Sequence, residues 1–148
     1  MYRATAHGFG TATVPERCDG RARLLVLVRT REGGWLFGGF TAVGFIPGPI
    51  RVYADPSAFL FSLTNSLGRP EKLASKGTGR DLFYNPSASA IFGSGPAGLA
   101  IRYNANTRAD SWTETGSAYA ASASTGKHPM AKKVQRGWLA AEVVCWVV

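Results

Sequence analysis

The side chains that could do chemistry are few in this chain and lie far apart in the sequence. Two thiols, Cys18 and Cys145, and two imidazoles, His7 and His128, lack the short spacings that a zinc site requires. The acidic residues are scattered among predicted turns, so no single loop gathers the several oxygen ligands that a hard cation needs. We therefore expect neither a bound metal nor a cofactor.

Ser94 lies between two glycines and suggests two kinds of active site. A nucleophile elbow needs glycines two positions before and after the serine, and Phe92 and Pro96 stand there instead. The glycine spacing that starts at Gly93 also matches a dinucleotide fingerprint, but that site requires a following helix, and residues 99–103 predict a strand. We interpret the segment as a turn and expect a protein that is not an enzyme.

The two thiols leave one alternative open. Cys18 follows Arg17, and a neighbouring cation favours the thiolate, so Cys18 is the better redox candidate. Cys145 lies in an apolar run, where a buried and inert thiol is expected. A small redox-active enzyme using Cys18, or a hydrolytic enzyme using Ser94, is therefore the alternative function.

The strand that contains Gly38 and Gly39 is the most informative element of the chain. An aliphatic strand leads into it through a Gly-Gly turn, which predicts a hairpin at the centre of a β structure. Glycine inside a strand, here next to Phe40, indicates that another backbone or a bulky ring approaches closely. We expect that neighbour to be the final strand, residues 138–148.

Short apolar runs separated by Gly, Pro and Asn predict an all-β sandwich or barrel. Residues 1–10 are expected to be loosely ordered, residues 14–20 to form one helical turn, and residues 104–133 to hold a long loop. The predicted strands are residues 24–30, 35–45, 57–64, 71–75, 81–84, 89–92, 99–103 and 138–148.

Composition limits the class of protein. The chain has 148 residues, of which 45% are hydrophobic, and a formal net charge of +8. These values fit one folded domain, and no apolar run approaches the roughly 20 residues that a membrane helix needs. Because the basic residues are dispersed between strands, without interleaved aromatic residues, we expect a solvated surface and no specific nucleic-acid binding. A cytoplasmic, soluble protein is the default expectation.

The predicted loop contains the best candidates for an interaction site. Trp112, Glu114 and Tyr119 place two aromatic rings and a carboxylate among small residues. Two interpretations stay open: the rings are exposed binding anchors, or they fold back and seal the edge of the core.

Six short segments follow one another in a characteristic order. They are Cys18-Asp19-Gly20, Trp35-Leu36-Phe37-Gly38-Gly39-Phe40-Thr41, Ser57 to Thr64, Ala90 to Gly98, Ser111 to Tyr119 and Leu139 to Trp146. Each motif is short, but together and in this order they resemble the TLDc domain family, and the resemblance is collinear over nearly the whole chain.

The resemblance implies a single domain over residues 1–148, built as a mainly β, two-sheet antiparallel β-sandwich with few short helices. It also implies a monomeric protein-interaction module that protects against oxidative stress through subunits of the vacuolar proton-pumping ATPase. Glu142 is similar to the first of two acidic residues in the family's closing strand, and it is an interaction candidate or a satisfied hydrogen-bond acceptor. Val144 replaces the second acid, so a function that needs both is not implied here.

Overall fold

The structure of the chain is a computed structural model that describes residues 1–10, 17–18, 22–46, 48–65, 68–85, 90–94, 98–123 and 136–148. Its elements, in chain order, are β1 (Tyr2–Arg3), α1 (Ala4–His7), β2 (Leu24–Thr30), β3 (Leu36–Thr41), β4 (Arg51–Tyr53), β5 (Phe59–Ser62), β6 (Glu71–Ala74), β7 (Leu82–Tyr84), β8 (Ala90–Phe92), β9 (Gly98–Ile101), β10 (Ser111–Glu114), β11 (Arg136–Trp138) and β12 (Ala140–Val147).

These strands form two antiparallel sheets of six strands each. Sheet A has the order β1-β12-β2-β3-β5-β6, and sheet B has the order β11-β10-β9-β8-β7-β4. The chain changes sheets between β3 and β4, β4 and β5, β6 and β7, and finally at Leu139, between β11 and β12. The predicted two-sheet β-sandwich is confirmed, and so is the β2–β3 hairpin at the centre of sheet A.

The core lies between the inner faces of the sheets. Leu24, Val26 and Val28 alternate along β2 and are fully buried, as period-2 patterning predicts for a strand with one face on a core. Aromatic rings bridge the two layers. The rings of Phe37 in sheet A and Trp138 in sheet B, for example, meet edge to face with centroids 5.2 Å apart.

The two glycines of β3 are approached closely from opposite sides. A Cβ atom on Gly39 would lie 2.7 Å from the ring of Phe92, which reaches across from sheet B. A Cβ atom on Gly38 would lie 1.9 Å from the carbonyl oxygen of Val26 and 2.8 Å from the ring of Phe61. The predicted close approach is therefore confirmed, by a ring at one glycine and by a backbone at the other.

The predicted neighbour of β3 was wrong. The final strand, β12, does not pair with β3; it lies between β1 and β2, and β3 lies between β2 and β5. The physical reason is the long β2–β12 ladder, which runs from Thr30 opposite Ala140 to Leu24 opposite Val147 and occupies the whole free edge of β2.

Residues 2–7 have regular structure, contrary to the expectation that residues 1–10 are loosely ordered. Tyr2 and Arg3 pair with Cys145 and Val144 of β12, which adds β1 to the edge of sheet A. Tyr2 is buried in the core, and its hydroxyl donates a 2.7 Å hydrogen bond to the carbonyl oxygen of Gly8.

The region predicted as a long loop contains a strand. Residues 111–114 form β10, which pairs with β9 on one side and with β11 on the other. Small polar residues around it hid its alternation of buried and half-buried positions. The rest of that loop from residue 124 to residue 133, and the helical turn apart from residues 17–18, lie outside the described residues.

Two buried aspartates, Asp55 and Asp81, hold the loops at the end of the sandwich where β3 finishes. Asp55 accepts hydrogen bonds from the Thr41 hydroxyl and the Ala42 amide, each 2.7 Å long. The backbone amide of Asp55 donates a 3.0 Å hydrogen bond to Oδ2 of Asp81. Burial raises the pKa of Asp55, but hydrogen bonds from Ser57, Thr41 and backbone amides outweigh that effect, so its pKa lies below the usual value. The network is structural and holds the end of β3.

Candidate functional site

A cleft of about 580 Å³ opens at the end of the sandwich where the β2–β3 hairpin turns. The β2–β3 hairpin forms one wall, and the passage from β11 to β12 forms the other. The lining residues are Thr30, Arg31, Glu32, Gly33, Trp35, Ala109, Gly137, Trp138 and Leu139.

The hairpin wall is shaped by its turn. Gly33 and Gly34 both adopt positive φ, which residues with a Cβ atom disfavour. The Trp35 indole lies directly against Gly33, where a Cβ atom would come within 2.4 Å of the ring. The Thr30 hydroxyl accepts a 3.0 Å hydrogen bond from the Trp35 amide and donates a 2.6 Å bond to the Glu32 carbonyl oxygen. Trp35 therefore has a fixed backbone and a half-buried ring at the cleft.

Trp138 forms the opposite, deeper wall. Only 4% of this residue is exposed, and its indole Nε1 is buried without a hydrogen-bond partner among the described residues. Gly137 precedes it with φ 87°, which lets the chain pass close to Ala109 and turn from sheet B toward sheet A. The cleft thus has two indole walls, while exposed Arg31 and Glu32 place one charge of each sign at its rim. Such a site suits an apolar or aromatic side chain of a partner.

Tyr119 is not an exposed anchor. It is fully buried, and its hydroxyl donates a 2.5 Å hydrogen bond to the Asp81 carbonyl oxygen. Burial raises the pKa of Tyr119, and the negative charges of Asp81 and Asp55 raise it further, so the phenol stays neutral. Of the two interpretations left open by the sequence, the sealing of the core is right for this residue.

Trp112 and Glu114 lie on the outer face of sheet B, and both are half-buried. Trp112 packs beside Ile91 and Ala100, and the Arg102 guanidinium lies 4.9 Å from its ring centroid. The structure therefore does not bring Tyr119 together with these two residues, because Tyr119 points into the core between the sheets.

Glu142 lies in β12, next to the edge strand β1 of sheet A, and is only 8% exposed. Its carboxylate accepts hydrogen bonds from the Arg3 guanidinium at 2.9 Å and from the amide and hydroxyl of Thr5 at 3.0 and 2.5 Å. Burial raises the pKa of Glu142, but these hydrogen bonds and one from the Val143 amide outweigh it and lower the pKa. Glu142 is thus a satisfied acceptor that fastens β1 and α1 to β12.

The comparison with protein families decides the relationship that the motifs suggested. A family model described as the TLDc domain matches residues 1–136. The chain belongs to the TLDc domain family. The match ends before β12, so the closing motif at residues 139–146 lies outside it. No curated protein shows significant similarity to the chain.

The thiols of this TLDc domain are brought together by the fold. Cys18 Sγ lies 3.0 Å from Cys145 Sγ, and both residues are buried. The hydrogen bond that Cys145 shares with Cys18, its burial and the nearness of the second thiol together raise the pKa of Cys145. Burial of Cys18 agrees with a structural role for this thiol.

Ser94 of the TLDc domain is half-buried in the turn after β8. The predicted strand after this segment is confirmed, because Gly98 begins β9 where a dinucleotide site would need a helix, while residues 95–97 lie outside the described residues. Among the described residues, no imidazole or carboxylate forms a hydrogen bond with Ser94, and His7 instead accepts one from the Arg3 amide. The described residues also contain no cluster of three or more metal-binding side chains and no helix long and apolar enough to cross a membrane.

The cleft between Trp35 and Trp138 was not predicted from the sequence. One signal was present, since a Gly-Gly turn followed directly by tryptophan marks an aromatic ring at a hairpin end. The second wall carried no such signal. It becomes part of the site only because the chain changes sheets at Leu139.

Proposed function

We propose that this TLDc domain is a non-enzymatic, monomeric protein-interaction module of the cytoplasm. In this proposal it binds subunits of the vacuolar proton-pumping ATPase or regulates that pump, and through it contributes to protection against oxidative stress. Membership of the TLDc family supports the proposal, and the cleft between Trp35 and Trp138 is the observation that carries it for this chain.

The cleft suits a partner protein for three reasons. It is walled by two indoles whose positions are fixed by the hairpin turn and by the crossing between sheets. Its rim carries Arg31 and Glu32, which can orient a partner by charge. Large, rigid aromatic side chains in a recess are the usual centres of binding energy in protein interfaces.

Affinity capture tests this function. The whole chain is immobilised and exposed to a eukaryotic lysate, and vacuolar ATPase subunits are quantified by mass spectrometry. We expect recovery of the pump, and at least a severalfold loss with Trp35→Ala. The matched control is Ile50→Ala, which removes an exposed apolar side chain from another part of the surface. Circular dichroism checks that both variants fold.

Two results would contradict the proposal in separate ways. If the wild-type chain never recovers the pump under conditions in which a related TLDc domain does, the pump is not its partner. If capture succeeds but is unchanged by Trp35→Ala, the partner binds elsewhere and the cleft is not the site.

The contact between Cys18 and Cys145 supports a second candidate, a small redox-active enzyme that uses Cys18. Formation of the Sγ–Sγ bond would remove two electrons and two protons from the thiols, and hydrogen peroxide would take them up and leave as two molecules of water. Such an enzyme needs Cys18 to react as a thiolate near neutral pH.

A pH titration with a thiol reagent tests the second candidate, with Cys145→Ser isolating the signal of Cys18. Redox catalysis requires an apparent pKa well below the ordinary value of about 8.5. Reaction at the ordinary pKa, or only after denaturation, would exclude a catalytic cysteine.

A further inference from the structure

The outer face of sheet A is apolar. In β2, β3, β5 and β12, most of the residues that alternate with the core positions are themselves large and hydrophobic, and these are half-buried. We call the following six residues the outer strip: Leu25, Leu27, Phe40, Phe59, Phe61 and Trp146.

The strand register makes the outer strip continuous. Trp146 stands opposite Leu25, Leu25 opposite Phe40, and Phe40 opposite Phe59, so one row crosses four neighbouring strands. With strands about 4.8 Å apart, this row is roughly 14 Å long. The Phe40 and Phe59 rings stack with centroids 5.1 Å apart. The strip is therefore a single apolar surface, unlike the isolated apolar residues found on most protein surfaces.

Positive charges flank the strip. Arg29 is exposed on this face beside Leu36, its partner in β3. Lys72 is exposed opposite Phe61, and its ammonium group lies 4.1 Å from the Phe59 ring centroid. Among the described residues, Glu142 is the carboxylate on this face, and both of its oxygens already accept bonds from Arg3 or Thr5. This face therefore offers apolar surface and positive charges to a partner, while the Glu142 carboxylate is already hydrogen-bonded within the chain.

We propose that the outer strip binds an acidic amphipathic helix of a partner protein. A helix with its side chains is about 10–12 Å across, which fits a row of roughly 14 Å. Its apolar stripe covers the outer strip, and its acidic flanks meet Arg29 and Lys72. The inference deepens the proposed function, on which it rests for the existence of a protein partner, by naming a second surface and the chemistry that it recognises.

The charge argues against a second copy of this chain as the occupant. Two copies that met through this face would oppose Arg29 and Lys72 with the same residues, and each chain has a formal net charge of +8. Like charges placed together at an interface disfavour association. An extended strand is also a poor occupant, because strand addition uses the hydrogen-bonding edge of a sheet and not its face.

Peptide binding measured by fluorescence anisotropy tests the proposal. The probe is a labelled synthetic peptide of about 18 residues, or five helical turns, with leucine on one stripe and glutamate elsewhere. The comparison peptides are a scrambled sequence of the same composition and a version with lysine in place of glutamate. We expect binding of the glutamate helix, and at least tenfold weaker binding of both comparison peptides.

Variants of the chain locate the binding. Phe61→Ser and Lys72→Glu should each weaken binding of the glutamate helix about tenfold, or 1.4 kcal/mol. Ile50→Ser, the matched control, should leave it unchanged. Because Phe61 also packs over Gly38, its variant could unfold; Lys72→Glu changes only an exposed side chain and keeps the test decisive.

Five outcomes overturn the proposal. Equal binding of the scrambled peptide would show that an amphipathic helix is not required. Equal binding of the lysine peptide would show that acidic charge is not required. Dimerisation in sedimentation, abolished by Phe61→Ser, makes a second copy the occupant. Binding to phosphatidylserine vesicles without peptide binding makes a membrane the occupant. Unchanged peptide binding by Lys72→Glu places the helix elsewhere on the chain.

The test separates this inference from the proposed function. Capture of the pump that survives Phe61→Ser and Lys72→Glu, together with failed peptide binding, leaves the function standing and removes the outer strip. Peptide binding by a wild-type chain that never recovers the pump supports the outer strip and removes the pump as partner.

Discussion

Leu24 and Leu25 are neighbours in β2, yet they belong to two different surfaces. Leu24 faces sheet B and is fully buried, whereas Leu25 faces outward and is half-buried in a row of other apolar residues. Both faces of sheet A are therefore hydrophobic, and in the part of the chain that the structure describes only the inner face has a second layer against it. Hydrophobicity alone does not tell a core from a binding surface; the presence of an opposing layer does.

The largest effect should come from the leucine pair itself. Leu24→Ala should lower the free energy of unfolding by about 2–5 kcal/mol, because it leaves a cavity between the sheets. Leu25→Ala should cost less than about 1.5 kcal/mol, because its side chain keeps contact with water in the folded state. Urea unfolding of both variants measures the difference, and equal costs would show that the outer face is as well packed as the core.

Gly39→Val should have the next largest effect, about 1–3 kcal/mol of destabilisation from overpacking. The added side chain would collide with the Phe92 ring on the inner face, where a Cβ atom has only 2.7 Å of space. Thermal unfolding measures the loss. Gly10→Val is the control, since nothing lies within 4 Å of its Cβ position and its φ is not positive. A wild-type melting temperature for Gly39→Val would mean that the sheets separate freely there.

Glu142→Gln should destabilise the chain by about 1.5 kcal/mol at neutral pH, the cost of hydrogen bonds to a charged group. Because the folded pKa of Glu142 lies below its unfolded value, its stabilisation is complete above the unfolded pKa of about 4.3 and is lost as the pH falls through the folded pKa. The stabilities of wild type and variant should therefore converge in acid. Urea unfolding across pH measures this. Glu114→Gln is the control, and a gap that persisted at low pH would contradict the assignment.

Lys72→Gln should have the smallest effect, about 0.5–1 kcal/mol for a cation over an aromatic ring at an exposed site. A double-mutant cycle with Phe59→Leu isolates this contact from other effects of either change. A coupling energy of zero would mean that the Lys72 ammonium group is not held over the Phe59 ring. The fixed features of the outer face would then be its apolar residues alone.

Local patterns predicted most of the fold. Alternation in β2 and the glycines of β3 depend on nearest neighbours along and across one hairpin, so they can be read from the residues. The pairing of β12 could not be predicted, because the apolar sequence of β12 fits either β2 or β3 equally well. The short strand β10 was hidden for a different reason, since its small polar neighbours resemble a loop.

The candidate site was less predictable than the fold. Trp112, Glu114, Tyr119 and Glu142 were chosen for residue type, but exposure depends on which layer covers each residue. Tyr119 lies in the core, while Trp112 lies on an outer face, although both come from one segment. The cleft and the outer strip are made by residues distant in sequence, and no spacing reveals them.

The position of β12 inside sheet A also has a consequence for the order in which the chain folds. This strand lies between β1 and β2, and its Glu142 binds Arg3 across 139 residues of sequence. Contacts between such distant residues carry a large loop-closure cost and slow the folding of β proteins. Until β12 pairs with β2, one hydrogen-bonding edge of β2 stays open. Because β2 is apolar on both faces, this open edge is of the kind that pairs wrongly with other chains. During synthesis on the ribosome, the nascent chain should therefore depend on chaperones for longest at β2.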